Sequence, residues 1–266
     1  MKKFYYTCYF LIISALIFTT GCRISQTGIT LAGSTSVQPF AEMLAEEYMK
    51  LHPGTNINIQ GGGSTAGIEA VKARAANIGM SSRELTINEK QVVEEITIAR
   101  DAIAVIVNPK NPVRDLTLKQ LQDLFSGKTT NWKKVGGIDN SVIIVTREEG
   151  SGTRGAFEDL VMEGALISAK ALVMDSTGAV REIVAQTPYA IGYISLGLVD
   201  ERVIPIKVGG IPATRENLLE GKYLLARPFL LVINRPLSPL AEDFIKFALS
   251  TPAQKMLTDE GLIAEQ

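Results

Sequence analysis

The chain has 266 residues, with 27 Lys and Arg against 28 Asp and Glu, one His and two Cys. That balance gives no basic face of the kind nucleic acid requires. A single histidine and so few thiols exclude the usual transition-metal ligand sets, and they remove the usual base of a Ser-His or Cys-His nucleophile.

The start of the chain reads as an export signal. Lys2 and Lys3 precede an apolar run, Phe10 to Phe18, and Thr19-Thr20-Gly21 are small residues before Cys22. The run is short for a membrane span, and its layout is that of a secretory signal. The small-small-Cys junction resembles a bacterial lipoprotein cleavage site, although Thr19 stands where Leu is usual. Residues 1–21 would then be removed, and Cys22 would carry the lipid. Loss of Lys2 and Lys3 takes the formal charge from -1 to -3. Cys8 leaves with the signal, so no internal disulfide and no free thiol are expected. Stability must come from a core, and the mature length suffices for one or two.

Short β-branched runs then alternate with amphipathic helices. Gly33-Ser34-Thr35-Ser36 opens a helix whose Val37, Phe40, Ala41, Leu44, Ala45 and Tyr48 fall on one stripe. His52 lies in LHPG, a helix-ending turn. Strands are expected at 56–60 (NINIQ), 103–108 (IAVIVN), 142–146 (VIIVT), 190–195 (AIGYIS), 203–208 (VIPIKV) and 228–234 (PFLLVIN). A segment ends over Asn217 to Gly221, a helix runs from Ser238 to about Leu249, and another starts near Pro252. This alternation predicts an α/β fold with mainly parallel sheets.

Four times a strand runs into Ser, Thr and Gly and then into a helix. The turns are 33–36, Gly61 to Thr65, Gly150-Ser151-Gly152-Thr153 and Asp175-Ser176-Thr177-Gly178. Ile78 to Arg83 is a further strand end, carrying Ser81, Ser82 and Arg83. Each turn alone is explained by N-cap preference. Together they offer unpaired N–H groups, hydroxyl donors and the positive ends of helices, which suit an anion outside the carboxyl ends of the strands.

Three nucleotide or hydrolase patterns fail on inspection. Gly150, Gly152 and Gly155 spell G-x-G-x-x-G, with Asp175 twenty residues further on. Arg147-Glu148-Glu149 separate the strand from the first glycine, and the acids would face a pyrophosphate. Ser126 to Thr129 (SGKT) looks like the tail of a phosphate-binding loop. It has Gln122 where a glycine is required, and a helix precedes it. Gly62 to Ala66 lacks the last glycine of a nucleophile elbow.

Several segments resemble one family along nearly the whole mature chain: AGSTSVQPFAE (32–42), GGGSTAGIEAV (61–71), IGMSSREL (78–85), LFSGKTTNWKKVGG (124–137), REEGSGTRGAFE (147–158), YAIGYISLG (189–197) and YLLARPFLLVIN (223–234). The family is the phosphate-binding lipoproteins of phosphate ABC importers, type II periplasmic-type binding proteins. The resemblance implies a two-lobed α/β fold with two strand crossovers at the hinge, IAVIVNP and PFLLVIN. Lobe one would be 28–105 plus 228–266, and lobe two 106–227. It implies a monomer that binds inorganic phosphate without a cofactor or catalysis. The monomer would be held by lipid on the outer face of the cell membrane and would serve ABC permease subunits with their ATPase.

The resemblance places Ser34, Thr35, Ser36, Ser64, Arg147, Ser151, Gly152 and Thr153 at the ligand, with Glu149 orienting Arg147; Ser82 and its neighbour Arg83 are added to the ligand set from their own position at the strand end. Arginine suits the role because its planar fork meets two oxygens at once. Arg83 is either a second cation or a surface ion pair with Glu84 or Glu69. Ser82 stands where better-known members carry an aspartate that accepts the proton of hydrogen phosphate and repels sulfate. That departure leaves open another tetrahedral oxyanion, such as sulfate, molybdate or tungstate. A sensor or adhesion lipoprotein reusing the fold is the reading from a different class. Cys22→Ala is expected to release the protein from membranes on cell fractionation; retention in the membrane fraction would refute the lipid anchor.

Overall fold

The computed structural model describes residues 27–264; the signal segment and Cys22 lie outside them. In chain order, strand β1 (Thr27–Gly33) leads to helix α1 (Gln38–Leu51), β2 (Thr55–Gly61), α2 (Ser64–Lys72), β3 (Ile78–Ser81) and the long β4 (Glu94–Val107). Next come β5 (Asp115–Leu116), α3 (Leu118–Phe125), β6 (Ile143–Arg147), α4 (Gly152–Phe157), β7 (Leu172–Met174), α5 (Thr177–Gln186) and β8 (Ala190–Ser195). The chain closes with β9 (Ile204–Pro205), β10 (Lys207–Val208), α6 (Arg215–Leu219), β11 (Ala226–Ile233), α7 (Pro239–Ala248), α8 (Thr251–Asp259) and β12 (Ile263–Ala264).

The stripe predicted on α1 is the face it buries, through Phe40, Ala41, Leu44, Ala45 and Tyr48. The helix stops at His52, whose ring stacks on Tyr48 with centroids 4.2 Å apart. Ser238 caps α7 by accepting from the Ala241 amide. The SGKT turn follows the C-terminus of α3, with the Gly127 amide bonded to Leu124 O. Carbonyls rather than amides point out of that end, so its dipole disfavours a phosphate.

The main sheet has the order β2-β1-β3-β11-β4-β8-β6-β7, with β9 and β12 also on β4. It is mixed, which corrects the expectation of mainly parallel sheets. β1 pairs β2 and β3 in parallel, and β6 pairs β7 and β8 in parallel. The central β4 and β11 run antiparallel to each other, and β11 is antiparallel to β3 as β4 is to β8. The two halves each keep helix-connected parallel strands, and the strands between them return through the middle.

β4 changes partner along its length. Glu94 to Ala102 lie along β11, and Ile103 to Val107 lie along β8. The cores divide at the same point. Ile29, Leu31, Leu44, Phe229 and Phe244 belong to one core, with a smaller cluster around Ile68 and Val232 on the opposite side of the sheet. Ala102 to Val107, Trp132, Phe157, Tyr193 and Leu225 belong to the other. Ala102 to Val105, expected in the first lobe, therefore pack into the second core. The buried indole of Trp132, in the family-like LFSGKTTNW segment, donates to Tyr189 O at 2.9 Å.

α2 sits hard against the end of β1. A Cβ on Gly67 would collide with Ala32 O and stand 2.6 Å from Gly33 Cα. Backbone cannot yield as a side-chain tip can, so only glycine lets the start of α2 approach the turn at Ser34. Gly67→Ala is expected to cost about 1–3 kcal/mol of stability through overpacking, read as a lower urea midpoint with an unchanged slope.

Candidate functional site: a buried hydroxyl and arginine cluster

The Ser/Thr turns meet where the two cores face each other. Ser34 and Ser36 come from the turn before α1, Ser64 opens α2, and Ser82 follows β3. From the other side come Gly152 and Thr153 of α4 and Thr177, the first residue of α5. Ser34, Ser36, Ser64, Ser82, Arg147, Ser151, Thr153 and Thr177 are all buried.

Hydrogen bonds knit them into two groups. The Ser36 hydroxyl lies 2.7 Å from Thr153 Oγ1 and 3.0 Å from Thr177 Oγ1. Thr35, less buried, accepts from the Thr177 amide at 3.3 Å. In the second group Ser34 Oγ donates to Ser82 Oγ at 2.8 Å, and the Ser82 amide donates to Ser64 Oγ at 3.1 Å. Gly152 closes on that group: a Cβ there would collide with Ser64 Oγ and stand 2.7 Å from Ser82 Oγ. The Thr65 amide also donates across the cleft to Gly150 O at 3.1 Å. The two sides are thus closed on each other. Ser151 uses its oxygen as the N-cap of α4, accepting from the Arg154 amide.

Arg147 ends β6 and points into this cluster. Its Nη1 donates to Thr177 Oγ1 at 3.0 Å. Its Nε and Nη2 donate to the two carboxylate oxygens of Glu148 at 2.9 and 2.8 Å. The carbonyls of Met174 and Asp175 accept from the same edge. The guanidinium is 2% exposed, while the Glu148 side chain is 31% exposed. Such a fork fixes the orientation of the cation and leaves its other edge to the cluster.

Two expectations need correction. The acid on Arg147 is Glu148, and Glu149 is exposed. Both are acids one residue apart, and sequence spacing did not say which one the turn after β6 sends back to the arginine. Arg83 is the other. Its guanidinium makes a fork with Glu89, 2.8 Å on each arm, and touches Thr65 Oγ1 at 3.3 Å. The hydrogen bonds from Arg83 hold the Glu89 carboxyl down to about 2. Arg83 is therefore an ion pair with Glu89, rather than with Glu84 or Glu69, and that carboxylate takes both arms of its fork.

Sequence reasoning missed three residues of the cluster and its support. Thr177 lay in the fourth turn, noted as a pattern but not assigned to the site. Asp101 and Arg227 form a buried ion pair, 2.9 Å, directly behind the Ser82 segment. Their signal was present as charges flanking the two apolar crossing segments.

Chemically the cluster is rich in donors: several hydroxyls, helix-start amides and one oriented guanidinium. Its nearby carboxylates, Glu148 and Asp101, are engaged by arginines. Among the described residues no group of three or more His, Cys, Asp or Glu could hold a metal ion. Such a cluster can hold an oxyanion, and no residue in it forms a nucleophile–base pair. Gly152→Ala is expected to leave thermal stability nearly unchanged. It should hinder closure by about 1–3 kcal/mol, roughly 5- to 150-fold in ligand affinity by calorimetry.

Comparison with known proteins accords with this geometry. Residues 21–252 match the family model of the PBP superfamily domain. The phosphate-binding protein PstS of Bacillus subtilis is 32% identical over 242 residues, covering 88% of this chain and 80% of its own. A structure from Clostridium perfringens, with bound phosphate, of a substrate-binding protein assigned to phosphate ABC transport superposes with a TM-score of 0.88. It is 40% identical, over 90% of this chain and all of its own. An ABC-type phosphate transport receptor from Vibrio cholerae gives 0.75 at 39% identity, over 89% of this chain and all of its own. Matching a PBP superfamily model over most of its length and a curated relative over four fifths of that relative's, the chain belongs to the phosphate-binding protein PstS family of the PBP superfamily.

Proposed function

We propose that this chain captures inorganic phosphate outside the cytoplasmic membrane and delivers it to an ABC importer. The observation that carries the reading is the convergence of Ser34, Ser36, Ser64, Ser82, Thr153 and Thr177 with the forked Arg147 at one buried point. Phosphate brings several acceptor oxygens and up to two negative charges. The cluster offers hydroxyl donors, helix N-termini and one cation that is already oriented. Thr35, Ser151 and Gly152 complete the ligand set through backbone and hydroxyl groups. The chain is a binding protein rather than an enzyme.

The two cores give the reading its mechanics. Lobe one would comprise residues 28 to about 101 plus 228–266, and lobe two the segment between. β4 and the start of β11 are the crossings. This division is supported by the change of partner along β4 at Ala102 and Ile103. Ligand entry needs the Ser36–Thr153 and Thr65–Gly150 contacts to part, and a bound anion replaces hydroxyl–hydroxyl contacts with stronger charged ones. A lipid on Cys22 would keep the protein, as a monomer, near its permease. No helix among the described residues is long and apolar enough to cross a membrane.

Another tetrahedral oxyanion is the second reading, and Ser82 is the observation that favours it. Its hydroxyl receives the proton of Ser34, and a hydroxyl does not repel an anion that lacks a proton as a carboxylate does. Calorimetry against phosphate, sulfate, molybdate and tungstate separates the two. Phosphate is expected to bind most tightly, and sulfate or tungstate binding with none for phosphate refutes the assignment. Arg147→Ala should stay folded and lose at least about 1.5–3 kcal/mol of phosphate binding, roughly 10- to 150-fold in Kd.

A further inference from the structure

Arg227 and Asp101 are paired partners in the register of β11 and β4, and both side chains are 1% exposed. Arg227 Nε and Nη2 both donate to Asp101 Oδ2, at 3.0 and 2.9 Å. The other carboxylate oxygen accepts from Ser195 Oγ at 2.9 Å. A buried pair of this kind is a poor device for stability alone, because desolvation offsets most of the attraction. Its geometry is asymmetric. Asp101 occupies one edge of the guanidinium, and the remaining nitrogen, Nη1, faces the Ser82 carbonyl at 3.4 Å. The pair is therefore a dipole with its cationic end toward the hydroxyl cluster. Burial pushes the Arg227 pKa down against the pull of Asp101, and the like charge of Arg147 adds to the lowering. The two guanidiniums thus share one electrostatic neighbourhood.

We propose that Arg227 is a second cation of the oxyanion site, acting without touching the ligand. Anchored by Asp101, it sets Nη1 against the Ser82 carbonyl and biases the site toward the doubly charged form of the anion. The inference rests on the phosphate reading and deepens it. Arg83, the cation expected beside Ser82, is spent on Glu89; Arg227 supplies charge to the same segment from the hinge side. Ser82 itself is neutral, so this positive field is not opposed by a carboxylate at that position.

The pH dependence of binding isolates this role. The groups facing Arg227 are Asp101 on β4, Arg147 on β6 and Tyr193 on β8, with Arg83, Glu84 and Asp159 lining the shallow pocket beside it and Tyr223 near Asp101. Burial pushes Tyr193 up to about 12 and raises Tyr223 as well. No histidine is among them, and His52 lies at the far end of α1. Burial pushes the Asp101 carboxyl up against the pull of Arg227 and Ser195, so the variants that replace Asp101 with Asn separate its titration from the second ionisation of phosphate, near 6–7, in any change of affinity between about pH 5.5 and about pH 8.

The experiment is calorimetry with inorganic phosphate at both pH values on three full-length variants, each checked for folding by circular dichroism. The doubly neutralised Asp101→Asn/Arg227→Gln is expected to bind about tenfold more weakly at the higher pH and to show a flattened pH profile. Asp101→Asn alone leaves Arg227 uncompensated. It should lower the melting temperature yet tighten phosphate binding and steepen the profile. Arg227→Lys keeps the charge and should keep the profile. A merely structural pair would weaken binding in every variant and leave the pH ratio unchanged, and that result overturns the proposal. Should the first two variants fail to fold, a flattened profile in Arg227→Lys overturns it. No phosphate binding by the natural sequence would refute the phosphate reading and this inference with it. Normal binding with unshifted variants refutes the role of Arg227 alone.

Discussion

The cation of Arg147 is buried, and the rest of the site depends on how that charge is kept. A guanidinium taken out of water must be paired and hydrogen-bonded on nearly every nitrogen. Here Glu148 and two carbonyls take one edge, and Thr177 takes part of the other. The result is a cation that cannot turn, aimed at a cluster of hydroxyls. Its placement at the carboxyl end of β6 puts it where the helix N-termini also point. Charge and dipoles therefore add at one place without an excess of basic residues in the chain.

The second constraint is mechanical. β4 is one continuous strand that serves both cores, pairing β11 over its first part and β8 over its second. β11 returns beside it. Two antiparallel strands make a connection that can bend while the cores on either side stay intact. The contacts across the cleft are small and polar, Ser36 to Thr153 and Thr65 to Gly150, whereas the contacts within each core are apolar and many. The same hydroxyls that hold it closed are the donors the proposed phosphate site would use.

Near the bend lies the Asp101–Arg227 pair, tied to Ser195 on one side and the Ser82 carbonyl on the other. It joins the two crossing strands to both sides of the cleft. The pair thus ties the Ser82 segment to the two crossing strands.

The local patterns were legible without any structure. The stripe on α1, the ending of that helix at His52, the cap at Ser238 and the Ser/Thr turns are decided by residues within a few positions of each other. Short-range sterics and hydrogen bonding set them. The rejection of the SGKT loop was equally local, because a helix C-terminus cannot offer amides to a phosphate. What the sequence left open were matches between distant residues. Which of Glu148 and Glu149 reaches Arg147, which acid takes Arg83, and whether Thr177 joins Ser36 all turn on backbone direction at the ends of separate strands. The pairing of Asp101 with Arg227, 126 positions apart, depends on the register of two antiparallel strands that no local signal specifies. The amino-acid sequence by itself determined the elements and the donor-rich turns. Tertiary structure alone decided which charges those turns receive, because an ion pair forms only between groups that packing has brought within a few ångströms.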